Sequence, residues 1–386
     1  MFFKKKQNTK NKICIISSVH TPFDTRIFHK ESKSLIKAGY EVALIVQHHK
    51  DENIEGINVI SIPNANTRIM RMTRTVWTAY QKAVNIDAFI YHFHDPELIP
   101  IGLLFKFLGY KVVYDIHEDV PQQILSKHWL PVILRRPTAC FVGALEWIAS
   151  KFFDAIVTAT PTIAKRFPPN KTITVQNFPI LGELHTQNTL PYLKRPAAFA
   201  YVGGITGIRG AKEMIQAISL LADRLDCKLE LAGLFRSCQF QDELQEMAGW
   251  SKVQYHGQAS RQEVANILGR VRAGLVLFYP MANHIAAQPN KMFEYMAAGL
   301  PIIASDFPLW RKIISASNCG ILVDPLNPKA IANAMQWILE NPEEAKAMGH
   351  RGNKIVKDIY NWEPEATKLT GLYKTLFAKN QRTVEV

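Results

Sequence analysis

Residues 289–306 read PNKMFEYMAAGLPIIASD, and this stretch decides the fold. Pro289 suits the first turn of a helix, where an N–H would be unpaired anyway. Gly299 suits the position just past a helix end, and Pro301 then forbids continuation. Residues 300–304 are a short apolar run, as expected of a strand covered on both faces. Such a helix start offers backbone N–H groups and a positive dipole end, which favour an anion. Lys291 adds a formal charge there, and Glu294, one turn further in, can accept hydrogen bonds from hydroxyls. Phosphate donors beside a hydroxyl acceptor are what a nucleotide sugar needs. The plainer alternative is an ordinary helix-to-strand corner in an α/β protein.

The same alternation extends in both directions. Strands are expected at 13–17, 41–46, 88–92, 111–114, 155–158 and 172–175, with a helix over 27–38 closed by Gly39. Prolines at 179, 191 and 196 then interrupt any period, which places an interdomain linker at 181–196. Alternation resumes with 199–202, 228–231, 253–256, 274–278, 301–304 and 320–323, and a helical period covers 363–378. Strands alternating with helices predict parallel sheets with helices on both faces. The expected fold class is α/β: two Rossmann-like doubly wound domains facing a central cleft, over 1–180 and 197–362. Ligands of such sheets bind at the C-terminal ends of the strands.

A chain of 386 residues exceeds one typical core, in keeping with two domains. Hydrophobic content of 47% and charged content of 20% describe a globular protein. Cys14, Cys140, Cys227, Cys238 and Cys319 form no C-x-x-C pair, which argues for a reducing compartment and against a metal cage. No segment reaches roughly 18 uninterrupted apolar residues, so no bilayer span is expected. The lysine-rich start has no apolar core of the secretory type, and the expected location is the cytoplasm.

The formal charge of +13 calls for an anionic partner: a membrane surface, a nucleic acid or a phosphorylated substrate. No zinc-finger spacing, RRM aromatic signature or basic region with heptads is present. Residues 68–82 and 127–151 instead mix basic residues with Trp and aliphatics, which suits helices lying on a headgroup layer. A solvated helix face packed on its own domain reads the same way.

Three further segments carry candidate chemistry. Residues 201–212, YVGGITGIRGAK, are a strand, a glycine loop and a helix. Gly203 and Gly204 permit close backbone approach, and Arg209 can pair with phosphate in fork geometry. The segment is neither a Walker A nor a G-x-G-x-x-G pattern. His94, Asp95 and Glu97 follow the strand at 88–92, and Asp115, His117 and Glu118 follow the strand at 111–114. Titratable groups just after buried strands lie where α/β sites are built. Asp95, Asp115 and Glu118 have no ligand spacing, so no metal site is assigned. In the loop 18–26, Asp24 and Arg26 are candidates for substrate contact, helix capping being the competing role of Asp24.

These motifs resemble the GT-B glycosyltransferases of family 4, here of the bacterial surface-polysaccharide type, and the resemblance covers nearly the whole chain. It rests on Gly203 to Arg209, on Asn290 to Glu294 with Ala297, Gly299 and Pro301, on both strand-end clusters and on the final helix. It implies transfer of a hexose-type sugar, with retention, from a nucleotide-diphosphate donor to a glycan acceptor held on a polyprenyl diphosphate. Lipopolysaccharide or capsule synthesis on the inner face of the plasma membrane is the implied setting. UDP is favoured over GDP, with no cofactor, no metal and no nucleic acid. The final helix, 363–386, is implied to return to the first domain.

Residue by residue, Glu294 matches the second glutamate of the family's E-x7-E pattern, which in relatives holds the ribose. The first glutamate falls on Ala286. Arg209 stands at the family's lysine, and Gly204 replaces its partner arginine. The diphosphate then depends on Arg209, Lys291 and helix N-termini, with Gly203, Gly204 and Asn290 beside them. His117 matches the histidine that in relatives contacts the transferred sugar. Asp24, Arg26, Asp95, Glu97 and Glu118 are the acceptor-side candidates, and His117, Arg209 and Glu294 the catalytic ones. The competing readings are a nucleotide-sugar 2-epimerase on the same scaffold and a non-catalytic basic nucleic-acid-binding protein.

Overall fold

The computed structural model describes residues 11–127, 130–186, 188–222 and 225–384; the lysine-rich first ten residues lie outside them. The chain divides into two compact units, Met1–Asn177 with Glu363–Val386, and Phe178–Trp362.

In the first unit the strands are β1 (Lys12–Ile16), β2 (Glu41–Gln47), β3 (Glu52–Ile54), β4 (Ile57–Ile62), β5 (Ile90–Phe93), β6 (Lys111–Ile116), β7 (Ala155–Thr158) and β8 (Thr172–Thr174). They form one sheet in the order β3-β4-β2-β1-β5-β6-β7-β8. Every neighbouring pair is parallel except β3–β4. That exception is an edge hairpin, which the alternation pattern missed because β3 is three mostly polar residues. Its turn holds Glu55 and Gly56, both at positive φ, the backbone that a tight hairpin requires. β1, β5 and β7 are buried almost throughout, as befits strands with helices on both faces.

The helix expected over 27–38 is two pieces: a π-helical run, Thr25–Ser32, continued by an α-helix, Lys33–Lys37. Asp24 accepts from the N–H groups of Arg26 and Ile27 at its start, and Ser32 Oγ donates back to the Ile27 carbonyl. The wider turn accommodates Arg26, Lys30 and Glu31, all buried, and such irregular turns are frequent at functional sites.

The second unit holds β9 (Ala198–Val202), β10 (Lys228–Ala232), β11 (Val253–Gly257), β12 (Ala273–Val276), β13 (Ile302–Ser305) and β14 (Gly320–Val323). Their order is β11-β10-β9-β12-β13-β14, all parallel. Two parallel-sheet units of this order are the two Rossmann-like domains of the expected fold class.

The segment 181–196 is not a free linker. Leu184 and Tyr192 are buried in the second core, the Tyr192 hydroxyl donates to the Arg272 carbonyl, and Arg195 donates to the Val271 carbonyl. Its anchors are single side chains in an aperiodic chain, so no hydrophobic period announces them. The final helix, Trp362–Val384, groups with the first unit from Glu363 onward. Leu369 and Tyr373 of that helix are fully buried.

The helix Asn290–Ala297 is tied to the second sheet through Tyr295. Its hydroxyl accepts the Val202 N–H at 2.8 Å, and its ring occupies the space that a Cβ at Gly274 would need. Gly274→Ala should therefore displace that helix. Overpacking of this kind costs about 1–3 kcal/mol, measurable as a lowered urea midpoint with an unchanged slope.

Candidate functional site

In the second unit the site is built at the C-terminal end of β9. The chain leaves Val202 through Gly203, at φ 120°, a backbone conformation that L side chains rarely adopt. A Cβ there would lie 3.1 Å from Lys291 Nζ. A short 3-10 turn, Gly207–Arg209, then leads into the helix Ala211–Ala222. Tyr201 OH donates to the Gly204 carbonyl at 2.8 Å, and Arg209 Nη1 donates to the same oxygen at 3.3 Å. The glycine loop is thus held by two side chains.

The helix Asn290–Ala297 arrives at this loop. Pro289 is the residue before it rather than its first helical residue, and has no side-chain acceptor to cap the helix start. Lys291 is only 8% exposed. Its Nζ lies 3.6 Å from the Tyr201 ring centroid and 5.5 Å from that of Phe278, and the Arg209 guanidinium lies 5.5 Å from the same Phe278 ring. Lys291 Nζ finds no hydrogen-bond partner among the described residues. Burial, and then the charge of Arg209, push its pKa well below the usual lysine value, against a smaller pull from Glu294. Burial also pushes Tyr201 up to about 12, against Arg209, so its hydroxyl stays neutral and keeps donating. Lys291, Arg209, Gly203 and Gly204 are therefore brought together, with Asn290 at the helix start.

Glu294 is buried and paired, its Oε1 2.9 Å from Arg261 Nη1. Arg261 also makes two bonds to Glu183, at 3.0 and 2.8 Å. Burial works against the charge of Arg261, but Glu294 and Glu183 raise its pKa above the ordinary value. The sequence reading missed both partners. Arg261 opens an unremarkable surface helix, Arg261–Leu268, and Glu183 lies in the segment taken for a linker. Ala286 follows a short helix, Ala282–Ile285.

In the first unit the strand ends gather a separate cluster. Asp115, on β6, accepts from Arg26 Nη2 at 3.0 and 2.9 Å. Arg26 Nε lies 2.8 Å from Glu31 Oε1, and Arg26 Nη1 donates to the Val175 carbonyl. Arg26, expected at the acceptor, is instead 3% exposed and fully engaged in this network. Asp24 caps the helix start, the competing role foreseen for it. Asp95 is also internal: it accepts from Ser17 Oγ, Ser18 N and Ser18 Oγ, which shapes the loop after β1. Glu97 accepts from Ser18 Oγ and pairs with Arg71 Nε at 2.7 Å. Asp95 and Glu97 do lie just after a strand and Asp24 and Arg26 at a helix start, but each is engaged in contacts that hold the fold.

His117 and Glu118 differ, Glu118 being exposed and His117 partly so. His117 Nε2 lies 2.9 Å from His94 Nδ1 and 3.5 Å from Asp115 Oδ1. Behind them His92 Nδ1 meets Tyr373 OH at 2.5 Å. Burial and the neighbouring imidazoles push His94 well below the usual histidine value, so its ring is neutral. Burial alone would raise Asp115, yet Arg26 and His117 hold it well below the carboxylate range. Burial and Asp115 push Glu31 well above that range. Among the described residues, those able to hold a metal are Glu31, His92, His94 and Asp115; Asp95 and Glu118 are not of that set.

With this geometry in view, residues 187–355, within the second unit, match the family model of glycosyl transferases group 1. The D-inositol 3-phosphate glycosyltransferase of Corynebacterium urealyticum is 25% identical over 215 residues, 52% of this chain and 49% of that protein. The chain spans about half the length of the curated relatives that head its matches. Among solved structures, sucrose-phosphate synthase from Thermosynechococcus elongatus superposes with a TM-score of 0.75 at 19% identity, over 96% of this chain and 100% of that one. Anabaena HepE, solved with UDP-glucose, gives a TM-score of 0.72 at 12% identity, over 94% and 99%. The structural likenesses establish the fold: two Rossmann-like domains of GT-B type.

The buried Lys291 has a thermodynamic signature. Between its lowered pKa and the ordinary lysine value, the unfolded chain binds one proton more than the folded chain. Stability of the ligand-free protein therefore rises with pH across that window. Lys291→Met should melt higher than the natural chain near neutral pH, and the gap should shrink as pH rises towards the ordinary lysine value. Thermal melts at several pH values measure it.

Proposed function

We propose that this chain is a retaining glycosyltransferase that moves a hexose from a nucleotide-diphosphate donor to a lipid-linked glycan. One observation carries the reading. A buried lysine amine with no internal partner stands beside a guanidinium, at a glycine loop and an uncapped helix start. A basic group left without a partner at low exposure is costly to the fold, and a diphosphate would supply the counter-charge for Lys291 and Arg209.

The chemistry follows from that arrangement. Rupture of the sugar–phosphate bond leaves negative charge on the departing nucleotide. Arg209, Lys291 and the N–H groups of the Asn290–Ala297 helix would stabilise that charge as it develops, in a setting already organised before reaction. Glu294, oriented by Arg261, has the carboxylate that would hold the ribose hydroxyls. His117, backed by His94 and Asp115, is the group we assign to the transferred sugar, and the exposed Glu118 is the candidate left on the acceptor side. Retention means attack on the face that the nucleotide leaves, with its phosphate oxygen taking the acceptor proton. UDP is the favoured nucleotide, which the complex of the HepE neighbour with UDP-glucose supports. Surface-polysaccharide assembly is the setting that fits a lipid-held acceptor.

Exposed apolar and basic side chains on the first unit support a lipid-held acceptor. The helix Val132–Phe152 exposes Ile133 to 81% and Phe141 to 69%, with Trp147, Ile148 and Phe152 also exposed. Arg136 and Lys151 are exposed on the same helix. No described helix is long and apolar enough to cross a membrane, so the association would be peripheral, on an anionic headgroup layer. Vesicles containing anionic phospholipid should sediment the protein, salt should reverse this, and Phe141→Ser with Trp147→Ser should weaken it. Equal binding to neutral and anionic vesicles would remove the membrane from the proposal.

A thermal-shift screen of UDP-, GDP-, ADP- and dTDP-sugars should single out one nucleotide. A ligand at about 100 times its Kd stabilises the native state by about 2.7 kcal/mol. Arg209→Ala should reduce turnover by about 10²–10³-fold with unchanged circular dichroism; near-natural turnover would sink the role. Product that forms only when acceptor is added separates transfer from epimerisation.

A further inference from the structure

The four residues beneath His117 raise a question that the donor site does not answer. Glu31 is on the π-helical run, His92 in β5, His94 one step beyond it and Asp115 on β6. His92 and His94 are two apart on an extended chain and so point to one face, where Asp115 of the neighbouring strand joins them. All four are between 0% and 4% exposed. His92 Nε2, His94 Nε2 and Glu31 Oε2 have no hydrogen-bond partner among the described residues, while Glu31 Oε1 is paired with Arg26 Nε.

The spacing is informative. His92 Nε2 lies 3.6 Å from Asp115 Oδ2, His94 Nε2 lies 3.7 Å from Glu31 Oε2, and His94 Nδ1 lies 3.9 Å from Asp115 Oδ2. These separations are too long for hydrogen bonds. One ligand atom from each residue can be chosen so that all lie within 4.8 Å of one another. Two ligands sharing a tetrahedral ion at bonds of about 2.0–2.1 Å are themselves about 3.3 Å apart, so a small contraction completes the shell.

The carboxylate oxygens are shared with Arg26, whose Nη2 donates to both oxygens of Asp115. Arg26 Nε takes Glu31 Oε1, leaving Glu31 Oε2 towards His94. The outer nitrogens are spoken for: His92 Nδ1 meets Tyr373 OH, and His94 Nδ1 meets His117 Nε2. Metal-bound imidazoles characteristically direct their other nitrogen to such a partner, which orients the ring.

We propose that Glu31, His92, His94 and Asp115 bind one divalent transition ion of the zinc type, enclosed in the first unit. Two imidazoles and two carboxylates in a closed shell suit zinc better than magnesium or calcium, which prefer all-oxygen shells. With no face open to solvent the ion is structural. It locks His94, and through it the ring of His117, while Arg26 and Tyr373 form the outer layer. The ion is separate from the donor cradle, where Arg209 and Lys291 act.

The test uses the full-length chain, produced in zinc-supplemented medium and purified without chelator. Mass spectrometry should find about one equivalent of zinc, and refolding from urea with Co²⁺ instead should give the visible absorption of four-coordinate cobalt. Tyr373→Phe removes only a hydroxyl and should weaken cobalt binding about 10- to 100-fold with the far-ultraviolet spectrum unchanged. Glu31→Gln should abolish the cobalt spectrum. A natural chain that is metal-free, melts identically with zinc and with EDTA, and gives no cobalt spectrum overturns the proposal. Zinc retained at full affinity in both variants overturns it equally. Neither readout uses a nucleotide sugar, so failure here leaves the donor site standing, and failure of the donor screen leaves this site standing.

Discussion

Both units obey one constraint: a parallel sheet covered on both faces has no room along its strands for uncompensated charge. Charged and titratable groups are therefore pushed to the C-terminal ends, where the backbone turns and N–H groups become available. In the first unit this gathers His92, His94, Asp95, Asp115 and His117 at β5 and β6. In the second it gathers the Gly203–Gly204 loop at β9, with Lys291 and Glu294 brought in from the neighbouring helix. Each cluster then faces the same energetic demand, since a buried charge without a partner costs several kcal/mol.

The two clusters meet that demand differently. Arg26 bridges Asp115 and Glu31 and also donates to the Val175 carbonyl, so the first network pairs its guanidinium and leaves His92 Nε2, His94 Nε2 and Glu31 Oε2 facing one another. The second stays open. Lys291 rests on the face of Tyr201, a contact that gives its amine no hydrogen-bond acceptor. A fold that leaves a buried amine this way gives up stability, and such strain is characteristic of sites that await a ligand.

Glu294 shows how a binding group is prepared. Held by Arg261, which Glu183 holds in turn, the carboxylate is oriented before any hydroxyl arrives. Pre-orientation lowers the ordering cost that binding would otherwise bear. The segment supplying Glu183 has no regular pattern, yet Leu184 and Tyr192 fix it to the second core. A stretch that reads as a connection therefore supports the site helix from outside.

Much of this was legible in the chain itself. Short apolar runs spaced by helical stretches determined two parallel-sheet units, because period and burial are local consequences of the backbone. Pro289, Gly299 and Pro301 bounded the site helix to within a residue, and the glycines at 203 and 204 marked the loop that Lys291 approaches. Only the tertiary structure decided which strand-end groups are spent on the fold. Arg26, Asp24, Asp95 and Glu97 look like His117 and Glu118 in sequence, and differ only in what lies across from them in space. It also decided the partners of Glu294, the hairpin Glu52–Ile62, and the gathering of Glu31 with His92, His94 and Asp115. Pairing between residues tens of positions apart leaves no periodic trace in a sequence, whereas the alternation of strand and helix does.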